Sequence, residues 1–158
     1  IIIFEQKMFY YKLNLFYEDF VWQGTKGTKS KNFLSPQWLR NIKGRKYSKW
    51  RIDTYFSKKK YSNLLFIKDG GWHFTCLKTP EELEKKLLNF AHHYEFEESG
   101  LKIDDLKKLI VEKRVMYDHN VDQKGYKWSG KSILKKIETK YLPEYVSSNM
   151  DIYKNWLD

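Results

Sequence analysis

Apolar and aromatic side chains recur at roughly every second position across residues 1–17, through Phe9, Tyr11, Leu13 and Leu15, in a stretch rich in Ile, Phe and Tyr. Period two is the strand period. A strand leaves its backbone donors and acceptors open until a neighbour supplies partners, so this opening commits the chain to a sheet, as one long strand or two. With no turn before it, the strand is expected to find its partners upstream of Ile1. A second short strand is expected over 20–23, giving way to a flexible basic loop, Gly24-Thr25-Lys26-Gly27-Thr28-Lys29.

Helices punctuate the rest. Ser35-Pro36 places an N-cap before a proline at the first helical position, opening a short helix through Trp38, Leu39 and Ile42 that Gly44 ends. Residues 63–68 form a β-like run, stopped by Asp69-Gly70-Gly71 and resumed by Trp72-His73-Phe74; the double glycine permits a backbone conformation closed to other residues. Thr79-Pro80-Glu81-Glu82 is a capping box, and Leu83, Leu87, Phe90 and Ala91 make one apolar helical face behind it. A further helix is expected over 103–114, with Asp104 and Asp105 in its first turn and Lys113 and Arg114 in its last, and a third over 132–139. Strands alternating with helices give the α/β class: a mixed sheet with flanking helices. Segments 3–15 and 64–74 are expected in one sheet, with the helix from Pro80 packed on it.

A length of 158 residues suits a single domain, 1–158. With 41% hydrophobic and 18% aromatic residues, disorder is excluded. No apolar run approaches the roughly 20 residues of a membrane span, and the first residues lack the pattern of a signal peptide, so a cytoplasmic location is expected. The lone Cys76 excludes an intrachain disulfide and cysteine zinc sites. The net charge of +10 is lopsided, with 16 basic and 5 acidic residues in 1–79 against 14 and 15 in 80–158. Residues 26–60 hold 12 basic residues against Asp53 alone, interleaved with Tyr47, Trp50 and Tyr55, a composition suited to a phosphorylated ligand or a nucleic acid. Lysine outnumbers arginine 26 to 4, and arginine is the better bidentate reader of bases and phosphates, so nucleic acid is the weaker reading.

Four histidines, at 73, 92, 93 and 119, form no His-x-x-x-His pair. His92, His93 and His119 read as packed or helix-end residues. His73 stands apart, beside Trp72 at a strand end after the glycines, where open α/β sheets bind ligands. The carboxylates near that loop are Asp69 and Glu81, either of which is a candidate base. Serine and cysteine triads, P-loops and dinucleotide fingerprints are absent.

These residues resemble glycosyltransferase family 17, which contains the bisecting β-1,4-mannosyl-glycoprotein N-acetylglucosaminyltransferases. Asp69-Gly-Gly-Trp-His-Phe-Thr-Cys followed by Thr79-Pro80-Glu81 is similar to the family's Gly-Trp-His motif and Pro-Glu helix. Phe9-Tyr-Tyr-Lys-Leu-Asn and Trp22-Gln-Gly resemble its Tyr-Tyr-Asn-Leu-Asn strand and Trp-x-Gly turn. Phe90-Ala91-His92-His93-Tyr94-Glu95 is similar to a Phe-x-His-x-Glu run, and Pro143-Glu-Tyr-Val with Asn149 and Tyr153 to a C-terminal Pro-x-Tyr segment.

The resemblance implies the C-terminal, acceptor-side part of a nucleotide-sugar transferase of GT-A-like fold. It implies an inverting enzyme that passes N-acetylglucosamine, or a related sugar, from a uridine diphosphate donor to a glycan hydroxyl. Asp69 or Glu81 would be the base. Gly70, Gly71, Trp72, His73, Tyr11, Trp22, His93 and Glu95 would bind donor or acceptor, with Trp72 stacking on a sugar and His73 touching the diphosphate or a metal. The family uses a divalent metal, Mn or Mg, held by an Asp-x-Asp-Glu-Ile-Pro segment before the Tyr-Tyr strand. This sequence has no Asp-x-Asp. The segment is therefore expected upstream of Ile1, with the chain incomplete and inactive alone, since the departing diphosphate needs neutralising charge. The rival reading is a non-catalytic basic module that binds nucleic acid or acidic polysaccharide.

Overall fold

The computed structural model describes residues 1–89, 93–121 and 125–158. In chain order the strands are β1 (Ile2–Phe4), β2 (Gln6–Tyr10), β3 (Leu15–Trp22), β4 (Lys26–Gly27), β5 (Leu65–Ile67), β6 (Trp72–Thr75) and β7 (Lys135–Lys136). The α-helices are α1 (Pro36–Asn41), α2 (Ile52–Tyr55), α3 (Pro80–Leu88), α4 (His93–Ser99), α5 (Ile103–Val111), α6 (Glu144–Ser148) and α7 (Met150–Tyr153). The class is α/β, with two mixed sheets and flanking helices. The residues divide into two compact units, Ile1–Lys7 with Val21–Gly71, and Met8–Phe20 with Trp72–Asp158.

The first unit holds a three-stranded sheet of order β4-β1-β5. β1 runs antiparallel to β4 (Ile3 opposite Lys26) and parallel to β5 (Ile3 opposite Phe66). Both neighbours of β1 are thus downstream segments, where the sequence pointed upstream. The basic loop after Trp22 is likewise partly a strand, because the open edge of β1 accepts Lys26 and Gly27. Ile3, Ile42 and Leu64 form this unit's core, with Trp38, Leu39, Tyr61 and Phe66 against them. α1 starts as its sequence demands, the Ser35 hydroxyl accepting from the Trp38 N–H at 3.1 Å. Its end is closed from another element: the Lys26 ammonium donates to the Arg40 and Ile42 carbonyls at 2.8 and 2.6 Å, capping orphan carbonyls with a positive charge.

The second unit is built on a four-stranded sheet of order β6-β2-β3-β7. The expectation of one sheet through 3–15 and 64–74 is corrected here. Each stretch is divided between the two sheets, so β1 pairs with β5 in one while β2 and β6 are neighbours in the other. The expected short strand over 20–23 is the end of the longer β3. A left-handed Tyr11 (φ 62°) turns the chain after β2. Phe9, Leu13 and Leu142 centre the core, with Phe16, Phe74, Ile137 and Trp156 packed on them. The helix expected over 132–139 is absent: β7 lies antiparallel to β3, with Leu15 opposite Lys136. Spacing of Ile133 and Ile137 suits a helix, but the edge of β3 needs a partner and the Ile137 N–H takes the Asn14 carbonyl at 3.0 Å.

α3 carries the full capping box: Thr79 Oγ1 accepts from the Glu82 N–H at 3.3 Å and Glu82 Oε2 from the Thr79 N–H at 3.2 Å. Leu83 and Leu87 are its buried residues, while Phe90, Ala91 and His92 lie outside the described residues. α5 packs on α3, buries Leu106, and ends at Val111, short of residue 114. Among the described residues no helix is long and apolar enough to cross a membrane. Leu83, fully shielded from water, should cost about 2–5 kcal/mol when cut to Ala. Thr79→Ala should cost about 1 kcal/mol through the lost cap, and exposed Leu88→Ala about 0.5 kcal/mol or less. Denaturant midpoints measure all three, and equal effects at 83 and 88 would contradict this packing.

Candidate functional site

Residues singled out by sequence fall in both units. Trp22, Asp69, Gly70 and Gly71 belong to the first; Tyr11, Trp72, His73, Glu81, His93 and Glu95 to the second.

In the first unit each motif glycine has a steric reason. A Cβ on Gly24 would run into the Trp22 indole, which accounts for the Trp-x-Gly turn. On Gly70 a Cβ would stand 3.0 Å from both the Ile67 carbonyl oxygen and the Phe4 Cβ. Gly71 has φ 118°, a backbone region that side chains disfavour. Asp69 is itself left-handed (φ 48°), exposed, and paired with Lys7 at 3.2 Å. The loop is tied down by the Gly70 N–H on the Glu5 carbonyl (2.8 Å) and the Lys7 N–H on the Gly71 carbonyl (3.0 Å).

In the second unit β6 presents Trp72 and His73. The Trp72 indole N–H donates to the Tyr141 carbonyl at 2.9 Å, which holds the ring while 40% of the residue stays open to solvent. His73 is half-buried, and burial, helped by Lys86, lowers its pKa. Cys76, left-handed (φ 55°) and buried, follows the strand, and burial raises its thiol. Such a thiol stays protonated and is a poor nucleophile. Glu81 pairs with Lys107 at 3.1 Å; its backbone N–H first, then Lys107, hold its carboxyl below the ordinary value. That environment suits a helix-dipole partner more than a base poised near neutral pH. His93 begins α4 with its ring 4.0 Å from that of Tyr94, and Glu95 is exposed in the same first turn. Tyr11 is buried, its hydroxyl accepting from the Met116 N–H at 3.0 Å; its ring borders a cleft of about 340 Å³ that Lys12, Lys78, Pro80 and Trp156 also line.

The densest polar cluster was not anticipated. Asp118 is buried, and three donors reach its carboxylate: the Tyr17 hydroxyl at 3.0 Å, the Asn120 N–H at 2.8 Å and the Ser132 hydroxyl at 3.0 Å. Burial by itself would raise this carboxyl; the Asn120, Tyr17 and Ser132 bonds outweigh it, leaving the pKa below its ordinary value. Asn120 also donates through Nδ2 to Tyr17 Oη at 3.1 Å and to the Asp19 carbonyl at 3.2 Å. Between Asp118 and Asn120 stands His119, stacked on Phe20 (4.9 Å) and bonded at Nε2 to the buried Tyr10 hydroxyl at 2.8 Å. Burial drives its pKa from 6.5 down to about 4; Asp118 opposes this, while His73 and Lys127 add to it. The sequence signal, if any, was the run Asp118-His119-Asn120, but Tyr17 is 101 positions away and no local pattern joins them.

Among the described residues no group of three His, Cys, Asp or Glu side chains is placed to hold a metal ion. Comparisons with family models, with curated proteins and with solved structures returned no match.

His119 binds its proton more weakly folded (about 4) than unfolded (6.5), so its contribution to stability is intact above pH 6.5 and falls as pH drops toward 4. Asp118, with a lowered folded pKa, loses its contribution further down in the same direction. The melting temperature should therefore fall on acidification from pH 7 to 4, and His119→Gln should flatten the upper part of that slope. An unchanged slope in the variant would contradict a neutral, buried His119.

Proposed function

We propose that this chain is part of an inverting glycosyltransferase of the family 17 type, passing N-acetylglucosamine or a related sugar from a uridine diphosphate donor to a glycan hydroxyl. The observation that carries the reading is β6, where an indole pinned edge-on by Tyr141 keeps its surface open beside a half-buried, neutral-leaning imidazole. A fixed aromatic face is what a pyranose ring stacks on, since its axial C–H groups form an apolar patch. A neutral imidazole can donate an N–H to an oxygen as negative charge grows. The order of the five motif segments along the chain supports the same reading.

In such a transfer the acceptor oxygen attacks the anomeric carbon from the face opposite the diphosphate. The carbon–oxygen bond to the diphosphate breaks, that oxygen keeps the electron pair, and the hydroxyl proton passes to a base. Asp69 and Glu81 are the candidates for the base. Each is paired with a lysine, Asp69 with Lys7 and Glu81 with Lys107, and that pair must give way before the carboxylate can reach the hydroxyl proton. His73 is assigned to the leaving diphosphate and Trp72 to the acceptor sugar. The divalent metal that the resemblance implies finds no ligand set among the described residues.

Because the chain is expected to be inactive alone, steady-state transfer from a uridine diphosphate sugar by the full-length protein of which it would be part tests the roles. Trp72→Ala should raise the acceptor KM roughly tenfold with kcat nearly kept, the mark of uniform binding. His73→Ala should act on kcat, by about a hundredfold. Only one of Asp69→Asn and Glu81→Gln should lower the rate by roughly two to four orders of magnitude. Near-normal turnover in all four variants, with circular dichroism unchanged, would overturn the proposal.

A further inference from the structure

The first unit contains a closed loop that the sugar-transfer reading leaves unused. The Lys43 N–H donates to the Lys59 carbonyl at 2.8 Å and the Tyr47 N–H to the Tyr61 carbonyl at 3.2 Å, so its two ends are pinned together. Inside it the buried Tyr47 ring carries three cations: Arg45 and Arg51 at 4.8 and 5.5 Å from the ring centre, and Lys60 at 5.8 Å. Arg51 and Lys60 also hold Asp53 at 2.8 and 2.7 Å, the one acid among seven basic residues in 45–60. The Tyr55 hydroxyl returns to the Lys49 carbonyl at 3.0 Å, and the Thr54 hydroxyl to that of Arg51 at 2.7 Å. A loop with joined ends and its own packing is ordered without help from elsewhere.

The tip of this loop is apolar and outside. Trp50 is 93% exposed, Phe56 85%, and Ile52 and Tyr55 75% each. Ile52, Tyr55 and Phe56 fall at i, i+3 and i+4 along α2 and its end, on one helical face; leaving them and Trp50 in water forgoes the energy of burying them, and exposed apolar patches mark interaction surfaces. Lys49, Lys58 and Lys59 of the same loop are exposed, while Lys46 lies over the Phe66 ring at 5.9 Å.

We propose that this loop docks on the surface of an anionic phospholipid bilayer. Trp50, Ile52 and Phe56 enter the boundary between headgroups and acyl chains, and the exposed lysines meet the acidic headgroups. The side-chain chemistry favours a bilayer over a nucleic acid. Bases stack on planar rings and phosphates are best gripped by guanidinium forks, but Ile52 has no π face, both arginines lie on Tyr47, and Arg51 is already bidentate on Asp53. A bilayer asks instead for a mixed aliphatic and aromatic wedge, with Trp and Tyr at the interface and long lysine stems that keep their charge in the headgroup layer. The proposal does not depend on sugar transfer.

Co-sedimentation of the whole chain with two kinds of vesicle tests it: phosphatidylcholine alone, and phosphatidylcholine with about 30 mol % phosphatidylserine. Binding should be at least roughly tenfold stronger to the anionic vesicles and should weaken with salt. The double variant Trp50→Ala/Phe56→Ala should lose about tenfold, and Lys58→Glu/Lys59→Glu a similar factor, with circular dichroism unchanged in both. Three results would overturn the proposal: no preference for anionic vesicles, wild-type binding by the apolar double variant, or tighter binding to a single-stranded oligonucleotide than to the vesicles.

Discussion

A carboxylate taken out of water must be met by donors or it costs more than a domain of this size can spare. Asp118 is that carboxylate here. Its donors come from β3 through Tyr17, from its own loop through the Asn120 N–H, and from the segment leading into β7 through Ser132. One charge thereby ties three stretches of chain together, and the loop it fixes carries His119 to the Tyr10 hydroxyl on β2. The ring is neutral because it is buried, and its position follows from the bonds made by its neighbours on either side.

The motif residues obey a similar logic of enforced placement. Gly24 exists for the Trp22 ring, Gly70 for the close approach of Phe4 and the Ile67 carbonyl, and Gly71 for a backbone angle. Such constraints explain the glycines without reference to a substrate. What they leave unexplained is Trp72, whose indole is held by a hydrogen bond to the Tyr141 carbonyl while 40% of the residue stays open to solvent. That residue, more than the glycines, is the one to which the proposed function assigns a role. The basic half of the chain divides in the same way: Lys26 closes a helix, Arg51 and Lys60 neutralise Asp53, and the exposed Lys49, Lys58 and Lys59 are those the proposed bilayer contact would use.

Local signals were legible and non-local ones were not. The Ser35 and Thr79 caps, the helix from Ile103 and the glycine punctuation before β6 stand where the sequence put them, because each is set by contacts within about four residues. Pairing choices went otherwise. A period-two pattern says that a strand exists but not where it breaks, and the alternation through residue 15 hid the change from one sheet to another after Phe4. Ile133 and Ile137 carry helical spacing, yet the open edge of β3 recruited 135–136 as a strand. The Asp118 cluster was invisible for the plainest reason, since its partner Tyr17 is 101 positions away.

The dependence of the second unit on Asp118 is open to a double-mutant cycle with Tyr17→Phe and Asp118→Asn, followed by denaturant unfolding of the four proteins. The account predicts strong coupling, about 1–3 kcal/mol, because either change alone spoils the same buried arrangement. Additive losses, agreeing within about 0.5 kcal/mol, would mean that the two side chains act independently and would contradict it.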